Sequence, residues 1–296
     1  MEPAIVFRYS NAAIATTHRE NQAAMYETYW QLETKPFENS SEVRFYYPGE
    51  AHQGALLKLR YAIENRRGAA LLTGAAGLGK TLLVQALTRQ LSEPLTPIVH
   101  LVFPQMPPDQ LLAYLADELT GSATVSAPTI QQSIRRLETA LRENAAAGRH
   151  AVVVIDEAQL LRDSHALETM RLLLNFEHES QPVLTLLLVG QPVLLPVLDR
   201  MPQLDARLAV KCLLRPFTLE ESISYVNHRL NAAGATQPIF EQDALETMHM
   251  LSQGVPRYIN RLGDLALLIG YAEEQATISA AQIEAVAEEL VAVAPE

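Results

Sequence analysis

Short unbroken apolar runs alternate with stretches of helical period along the first two-thirds of the chain, and then the runs stop. The runs are Ala69-Ala70-Leu71-Leu72, Pro97–Val102, His150–Ile155, Val183–Val189 and a segment within Ala209–Leu214. Continuous β-branched or leucine-rich sequence is what a strand carries when both faces of its sheet are covered. Helical patterns lie between them, over Ala51–Asn65, Thr81–Leu87, Pro108–Leu119, Thr129–Ala147 and Asp163–Glu177, with a short helical piece ending at Arg200. The Asn65-Arg66-Arg67-Gly68 segment closes the first with cations and a glycine stop. A loop rich in Gly, Ser, Thr and Pro, from Thr120 to Pro128, separates two of the others. Strands that alternate with helices predict a parallel sheet covered by helices.

After Arg215-Pro216 the pattern changes. Glu220–Ala233, Glu241–Ser252, Pro256–Glu274 and Ala280–Val293 all read as helices, punctuated by Gly234 and Gly254, with Ser279 as the N-cap of the last. Three parts follow: a weakly structured extension at 1–24, an α/β domain at 25–215 and a small all-helical domain at 216–296. An aromatic group (Tyr29, Trp30, Phe37, Phe45, Tyr46 and Tyr47) stands ahead of the first helix. It packs the N-terminal segment against the domain, or part of it borders a bound base; both readings stand at this point.

Composition changes this picture little. With 296 residues, 48% hydrophobic and 19% charged, the chain is an ordinary globular protein with an adequate core. The single cysteine, Cys212, excludes an internal disulfide framework and a multi-cysteine metal site, and its apolar neighbours read as core. No apolar stretch reaches the roughly 18–20 residues of a membrane helix. Residues 1–24 lack the pattern of a secretory signal, so the expected location is cytoplasmic. The net charge of −11 argues against a surface that is basic all over. The basic groups are small: Arg135, Arg136 and Arg142 on one predicted helix, and Lys58, Arg60, Arg66 and Arg67 near another. They read as solvated faces rather than a nucleic-acid track. His100, His165, His178 and His249 have no metal-ligand spacing.

The chemistry centres on Gly74-Ala75-Ala76-Gly77-Leu78-Gly79-Lys80-Thr81, which reads G-x-x-x-x-G-K-[ST] between a predicted strand and a predicted helix. Glycines there let successive N–H groups turn toward phosphate oxygens at a positive helix end. Lys80 is the group to reach the β- and γ-phosphates, and Thr81 offers a hydroxyl to Mg²⁺. Asp156 and Glu157 end the strand of 150–155, at the edge where open α/β sheets bind ligands. The first suits Mg²⁺, which takes hard oxygen ligands, and the second suits a general base on an attacking water. Alone, the pair would read as helix-start acids; beside the phosphate loop it reads as chemistry. The expected ligands are ATP and Mg²⁺.

Together with Gly190-Gln191-Pro192 and the helical C-terminal part, these motifs resemble an AAA+ ATPase. More narrowly, Thr34-Lys35-Pro36-Phe37, Arg44-Phe45-Tyr46 and Gly254–Asn260 resemble the general secretion pathway protein A (ExeA-type) family, related to pilus-biogenesis and transposition ATPases. The likeness runs from about Met25 to the C-terminus. It implies a P-loop NTPase fold with a helical lid. It makes Gln191 a sensor of the γ-phosphate, Arg257 a second sensor from the lid, and Arg207 an arginine finger lent to a neighbouring subunit, with Arg200 as the competing candidate. It implies an Mg²⁺-dependent ATPase in a homo-oligomer, ring or filament, serving a protein partner in a secretion, pilus or other envelope apparatus. Two alternatives are an ATP-dependent regulator of transposition that binds duplex DNA, and a nucleotide-gated scaffold with slow hydrolysis. Secretion members commonly continue into a membrane span and a peptidoglycan-binding domain, which this sequence does not include.

Overall fold

The structure is a computed structural model that describes residues 26–38, 42–122, 128–161 and 164–292. The expectation for residues 1–24 lies outside the described residues, as do the centre of the Thr120–Pro128 loop and Asp163. In chain order the elements begin with α1 (Glu50–Glu64), β1 (Ala69–Thr73), α2 (Lys80–Thr88), β2 (Ile98–Leu101), α3 (Pro108–Thr120), α4 (Ile130–Ala146) and β3 (Ala151–Ile155). They continue with α5 (Ser164–Leu173), β4 (Glu177–His178), β5 (Gln181–Pro182), β6 (Leu184–Gly190), α6 (Leu195–Asp199), α7 (Pro202–Asp205) and β7 (Leu208–Leu213). The lid follows as α8 (Leu219–Ala232), α9 (Gln242–Ser252), α10 (Pro256–Ala272) and α11 (Ala280–Ala292).

Five strands form one parallel sheet in the order β2-β3-β6-β1-β7. Period-two alternation splits each central strand between two cores. Ala69, Leu71, Val153, Ile155, Leu186 and Leu188 face α3, α4 and α5, while Ala70, Leu72, Val152, Val154, Leu187 and Val189 face α1 and α2. Both sets are buried, which is why these strands read as solid apolar runs. β6 runs between β1 and β3, so the strand bearing the phosphate loop and the strand bearing Asp156 are not neighbours.

One expectation is corrected. The helix read as Asp163–Glu177 stops at Leu173, because Leu174, Asn175 and Phe176 form turn hydrogen bonds and the chain enters the small β4-β5 hairpin. Residues from Tyr26 to Phe37 pack not on the sheet but in the lid's core, where Tyr26, Trp30, Leu32 and Phe37 join Tyr225, Leu230, Ile259, Leu267 and Ile278. Trp30 Nε1 donates to Leu267 O at 2.9 Å, Tyr26 Oη donates to Asp264, and Glu33 N donates to Ala233 O at 2.7 Å. The physical reason is that the exposed faces of α8 and α10 need an apolar cover that four short helices cannot supply by themselves. Sequence period carries no trace of such a long-range pairing.

Candidate functional site: a phosphate loop under a helical lid

The loop between β1 and α2 is shaped by two glycines in the left-handed region, Gly77 at φ +83° and Gly79 at φ +82°. Gly77 also has no room for a side chain, since a Cβ there would stand 2.8 Å from Cβ of Arg257 on the lid. Gly74 N donates to Gly190 O at 3.2 Å, anchoring the start of the loop to the end of β6. Lys80 is buried, and its Nζ donates to the carbonyls of Gly74 and Ala75 at 2.9 and 3.0 Å. Burial lowers the pKa of this ammonium, Glu157 and Asp156 pull it back up, and Arg257 adds to the lowering.

Asp156 follows β3 and is 2% exposed, its N–H donating to Leu101 O on β2 at 2.9 Å. Thr81 Oγ1 donates to its Oδ2 at 2.7 Å, and Glu157 N donates to its Oδ1 at 2.8 Å. Burial alone would raise the pKa of this carboxyl. His100 beside it, with Nε2 3.8 Å from Oδ2, and the two hydrogen bonds outweigh burial and hold the acid below its usual range. His100 therefore belongs to the site, although its spacing in the sequence gave no signal. A buried carboxylate in contact with a hydroxyl is a donor set of hard oxygens, which fits Mg²⁺ completed by phosphate and water. The described residues hold no cluster of three His, Cys, Asp or Glu side chains of the kind an all-protein metal cage uses.

Glu157 adopts φ +50°, uncommon for a residue with a Cβ. Its Oε2 accepts from Gln159 Nε2, and Gln159 Oε1 accepts the N–H of Gln191 at 3.0 Å. Gln191 itself borders the cleft, at the end of β6.

The lid closes the other side. The cleft holds about 290 Å³ and is bordered by Gly77–Leu82, Glu157 and Gln191 below, and by Tyr225, Arg229, Arg257 and Asn260 above. Arg257 N donates to Gly77 O at 3.3 Å. Phe45, Tyr46 and Tyr47 form the third wall; within the aromatic group Trp30 and Phe37 are buried in the lid core away from the cleft, Phe45 joins that core while also bordering the cleft, and Tyr29 is exposed. His52, buried on α1, presents Nε2 2.8 Å from Leu78 O. A carbonyl only accepts, so that nitrogen carries the proton, and burial lowers the imidazole's pKa in keeping with the neutral form.

Sequence reasoning passed over Gln159, His52, Phe217 and Arg229. Arg229 is 3% exposed, donates to Pro36 O, to Glu38 O at 2.8 Å and to Tyr225 Oη at 2.9 Å, and lies 4.7 Å over the Phe45 ring. Only the position of Gln159 two residues beyond Glu157 offered a signal. Arg207 and Arg200 do not border the cleft of their own chain. Arg207 donates to Leu174 O at 2.9 Å and to Asn175 Oδ1 at 2.6 Å, tying the start of β7 to the end of α5.

A larger groove of about 580 Å³ opens at the opposite, N-terminal edge of the sheet, beside Pro97, Arg135, Arg136 and Arg149. It touches none of the phosphate-loop residues, and its place at the wrong strand ends separates it from the nucleotide chemistry. Arg136 there is paired with Asp117 at 2.7 Å, and Arg142 nearby with Glu138 at 2.7 Å.

Comparison with known proteins agrees with this architecture. The AAA domain family matches residues 63–198. General secretion pathway protein A of Aeromonas hydrophila is 36% identical over 250 residues, which is 84% of this chain; the chain spans 45% of that protein's length. Among solved structures, the Aeropyrum pernix ORC2 protein in its ADPNP-ADP complexes superposes with a TM-score of 0.66 at 16% identity, over 87% of this chain and 72% of that one. Drosophila ORC bound to DNA gives 0.67 at 16%, over 98% and 71%. At such identities the likeness is one of fold.

Proposed function

Because the chain belongs to the AAA+ P-loop NTPases, with a parallel sheet, a phosphate loop and a helical lid, we propose that it binds ATP with Mg²⁺ in the cleft under the lid and hydrolyses it to ADP and phosphate. The observation that carries this reading is the junction of Thr81 with Asp156 at 2.7 Å beneath the phosphate loop, with Glu157 next to it. The loop N–H groups from Gly74 to Thr81 take the phosphate oxygens, and Lys80 exchanges its two loop carbonyls for the β- and γ-phosphates. Thr81 and Asp156 would hold Mg²⁺, which would supply charge neutralisation to the phosphates. Glu157 accepts a proton from the attacking water, Gln191 meets the γ-phosphate, and Arg257 reaches it from the lid. Phe45, Tyr46 and Tyr47 supply the apolar wall for the base.

The test is a pair of substitutions. Lys80→Ala removes binding of a fluorescent ATP analogue, whereas Glu157→Gln keeps binding and lowers turnover by about 10²–10⁴-fold. Undiminished hydrolysis in the Glu157 variant defeats the assigned role.

Hydrolysis in this reading drives a homo-oligomer in which Arg207, or Arg200 in its place, stabilises the neighbour's transferring phosphoryl group. Such a finger is worth on the order of 10³–10⁵ in rate. Mixing inactive Arg207→Ala with inactive Glu157→Gln subunits then restores some activity. Co-assembly without recovery makes Arg207 a structural tie between β7 and α5. The biological role that the 36% identity favours is assembly or energising of a secretion or other envelope apparatus, at the cytoplasmic side. The contrasting role, a regulator acting on duplex DNA, requires nucleotide-dependent submicromolar duplex binding that falls with Arg135→Ala. The expected result is no tight binding at physiological salt, since the net charge is −11 and Arg136 and Arg142 are already paired.

A further inference from the structure

We propose that Gln159 is the positioning residue of the hydrolytic step: its side-chain amide holds the Glu157 carboxylate and ties it to the end of β6 at Gln191. The inference rests on the reading of Glu157 as general base.

The geometry leaves the amide one orientation. Gln159 Oε1 is 3.0 Å from the backbone nitrogen of Gln191, a group that only donates, so the oxygen must face it. The NH₂ group then faces Glu157 and donates to Oε2, which as a carboxylate oxygen only accepts. Both ends of one amide are thus used, each on a different strand terminus: Glu157 after β3 and Gln191 after β6. The contact has no slack. Gly190 carries no side chain, and a Cβ there would stand 2.7 Å from Gln159 Oε1 and 3.3 Å from Gln159 N. The backbone is placed to match. Glu157 turns through φ +50°, and the single helical turn of Ala158–Leu160 that follows, with Ala158 fully buried and Leu160 N donating to Glu157 O at 2.8 Å, brings position 159 back beneath it.

The consequence is a division of labour within one carboxylate. Oε2 is occupied by the amide, which fixes the rotation of the group, and Oε1 is left to take the proton from water. Because the same amide accepts from Gln191, a shift of the β6 end toward or away from the γ-phosphate moves the base with it. A base held in position contributes through orientation, and displacement by about 1 Å costs on the order of 10²-fold in rate.

Three substitutions decide the matter, each followed by steady-state hydrolysis, fluorescence titration with an ATP analogue and thermal unfolding. Gln159→Met keeps size and loses both hydrogen bonds; the expected result is a kcat lower by roughly 10–10²-fold with KM and analogue affinity within about twofold. Gln159→Glu keeps an oxygen for the Gln191 N–H but replaces the donor to Glu157 with a like charge. A positioning role leaves this variant no faster than Gln159→Met, whereas a purely structural tie to β6 is rescued by it. In the Glu157→Gln background, Gln159→Met adds no further loss, because residues acting as a unit are non-additive. Wild-type kcat in Gln159→Met, rescue by Gln159→Glu, a loss confined to KM, or full additivity overturns the proposal. If Glu157→Gln itself hydrolyses normally, the assignment of the base has failed rather than that of Gln159.

Discussion

The two walls of the cleft are built in different ways. On the sheet side most contacts are local or join neighbouring strand ends, as in Lys80 to Gly74 and Ala75, Glu157 to Gln159, and Gly74 to Gly190 on the adjacent strand, with Thr81 to Asp156 reaching across β6. On the lid side the contacts span the chain, as in Trp30 to Leu267, Arg229 to Pro36, and Tyr26 to Asp264. The sheet wall is a set of backbone shapes that short motifs encode. The lid wall is an aromatic and cationic cluster that exists only once distant segments meet. The first is specified by residue type at fixed spacing, and the second by complementarity of surfaces.

The largest loss of stability is expected from Trp30→Ala, on the lid side. Trp30 lies 7% exposed against Gly270, where even a Cβ would stand 2.9 Å from its ring. Truncation should cost about 3–5 kcal/mol by urea denaturation. A loss under about 1 kcal/mol would show that the N-terminal segment is an accessory rather than a part of the lid.

The next test addresses the sheet half. His150 is fully buried at the start of β3, bonded through Nε2 to Thr185 Oγ1 at 2.9 Å, and burial with help from Arg66 lowers its pKa from 6.5 to about 4. Below about pH 6.5 the unfolded chain takes up a proton that the folded chain refuses. Stability fully present above that pH is therefore lost as pH falls toward 4, by about 3 kcal/mol over the window. Urea midpoints between pH 7.5 and 5 should show the fall, and His150→Gln should flatten it. An equally steep slope in the variant would assign the effect to other groups.

Arg257 tests how much the lid adds to binding. It sits on the rim, exposed, with only its backbone fixed to Gly77, so Arg257→Ala should weaken an ATP analogue about tenfold, the value of one charge-assisted contact. A loss as complete as that of Lys80→Ala would make the two walls equal partners. The smallest effect is expected at Arg142, whose i,i+4 pair with Glu138 is largely exposed. Arg142→Ala should change stability by no more than about 0.5 kcal/mol in thermal or urea unfolding.

The same contrast explains what was legible in the sequence. The strand runs, the phosphate loop, the Asp156-Glu157 pair and the lid helices announce themselves through period and spacing, and each is found within a few residues of its expected place. The end of α5 was overrun, because Leu174, Asn175 and Phe176 continue a plausible helical period while the β4-β5 hairpin is fixed by tertiary context. The packing of Tyr26, Trp30 and Phe37 on the lid was illegible for a related reason: they have no period of their own, and only the lid shows what they cover. Likewise His100 and His52 entered the site through the strand and helix that carry them, not through a motif.

The N-terminal segment packed into the lid has a mechanical consequence. The polypeptide leaves the lid through residues 46–49 to enter α1 and returns to it through residues 214–218, so two crossings join the halves. They run side by side: a Cβ on Gly49 would stand 3.0 Å from the Phe217 ring, and Glu50 N donates to Glu221 Oε1 at 2.9 Å. A body suspended from one tether is free to swivel in every direction. Suspended from two adjacent ones, it keeps mainly the rotation about the line through both, as a door keeps only the turn its pins allow. If the proposed hydrolysis moves the lid, two adjacent crossings confine that movement to a single arc, set by where the chain crosses rather than by the chemistry that drives it.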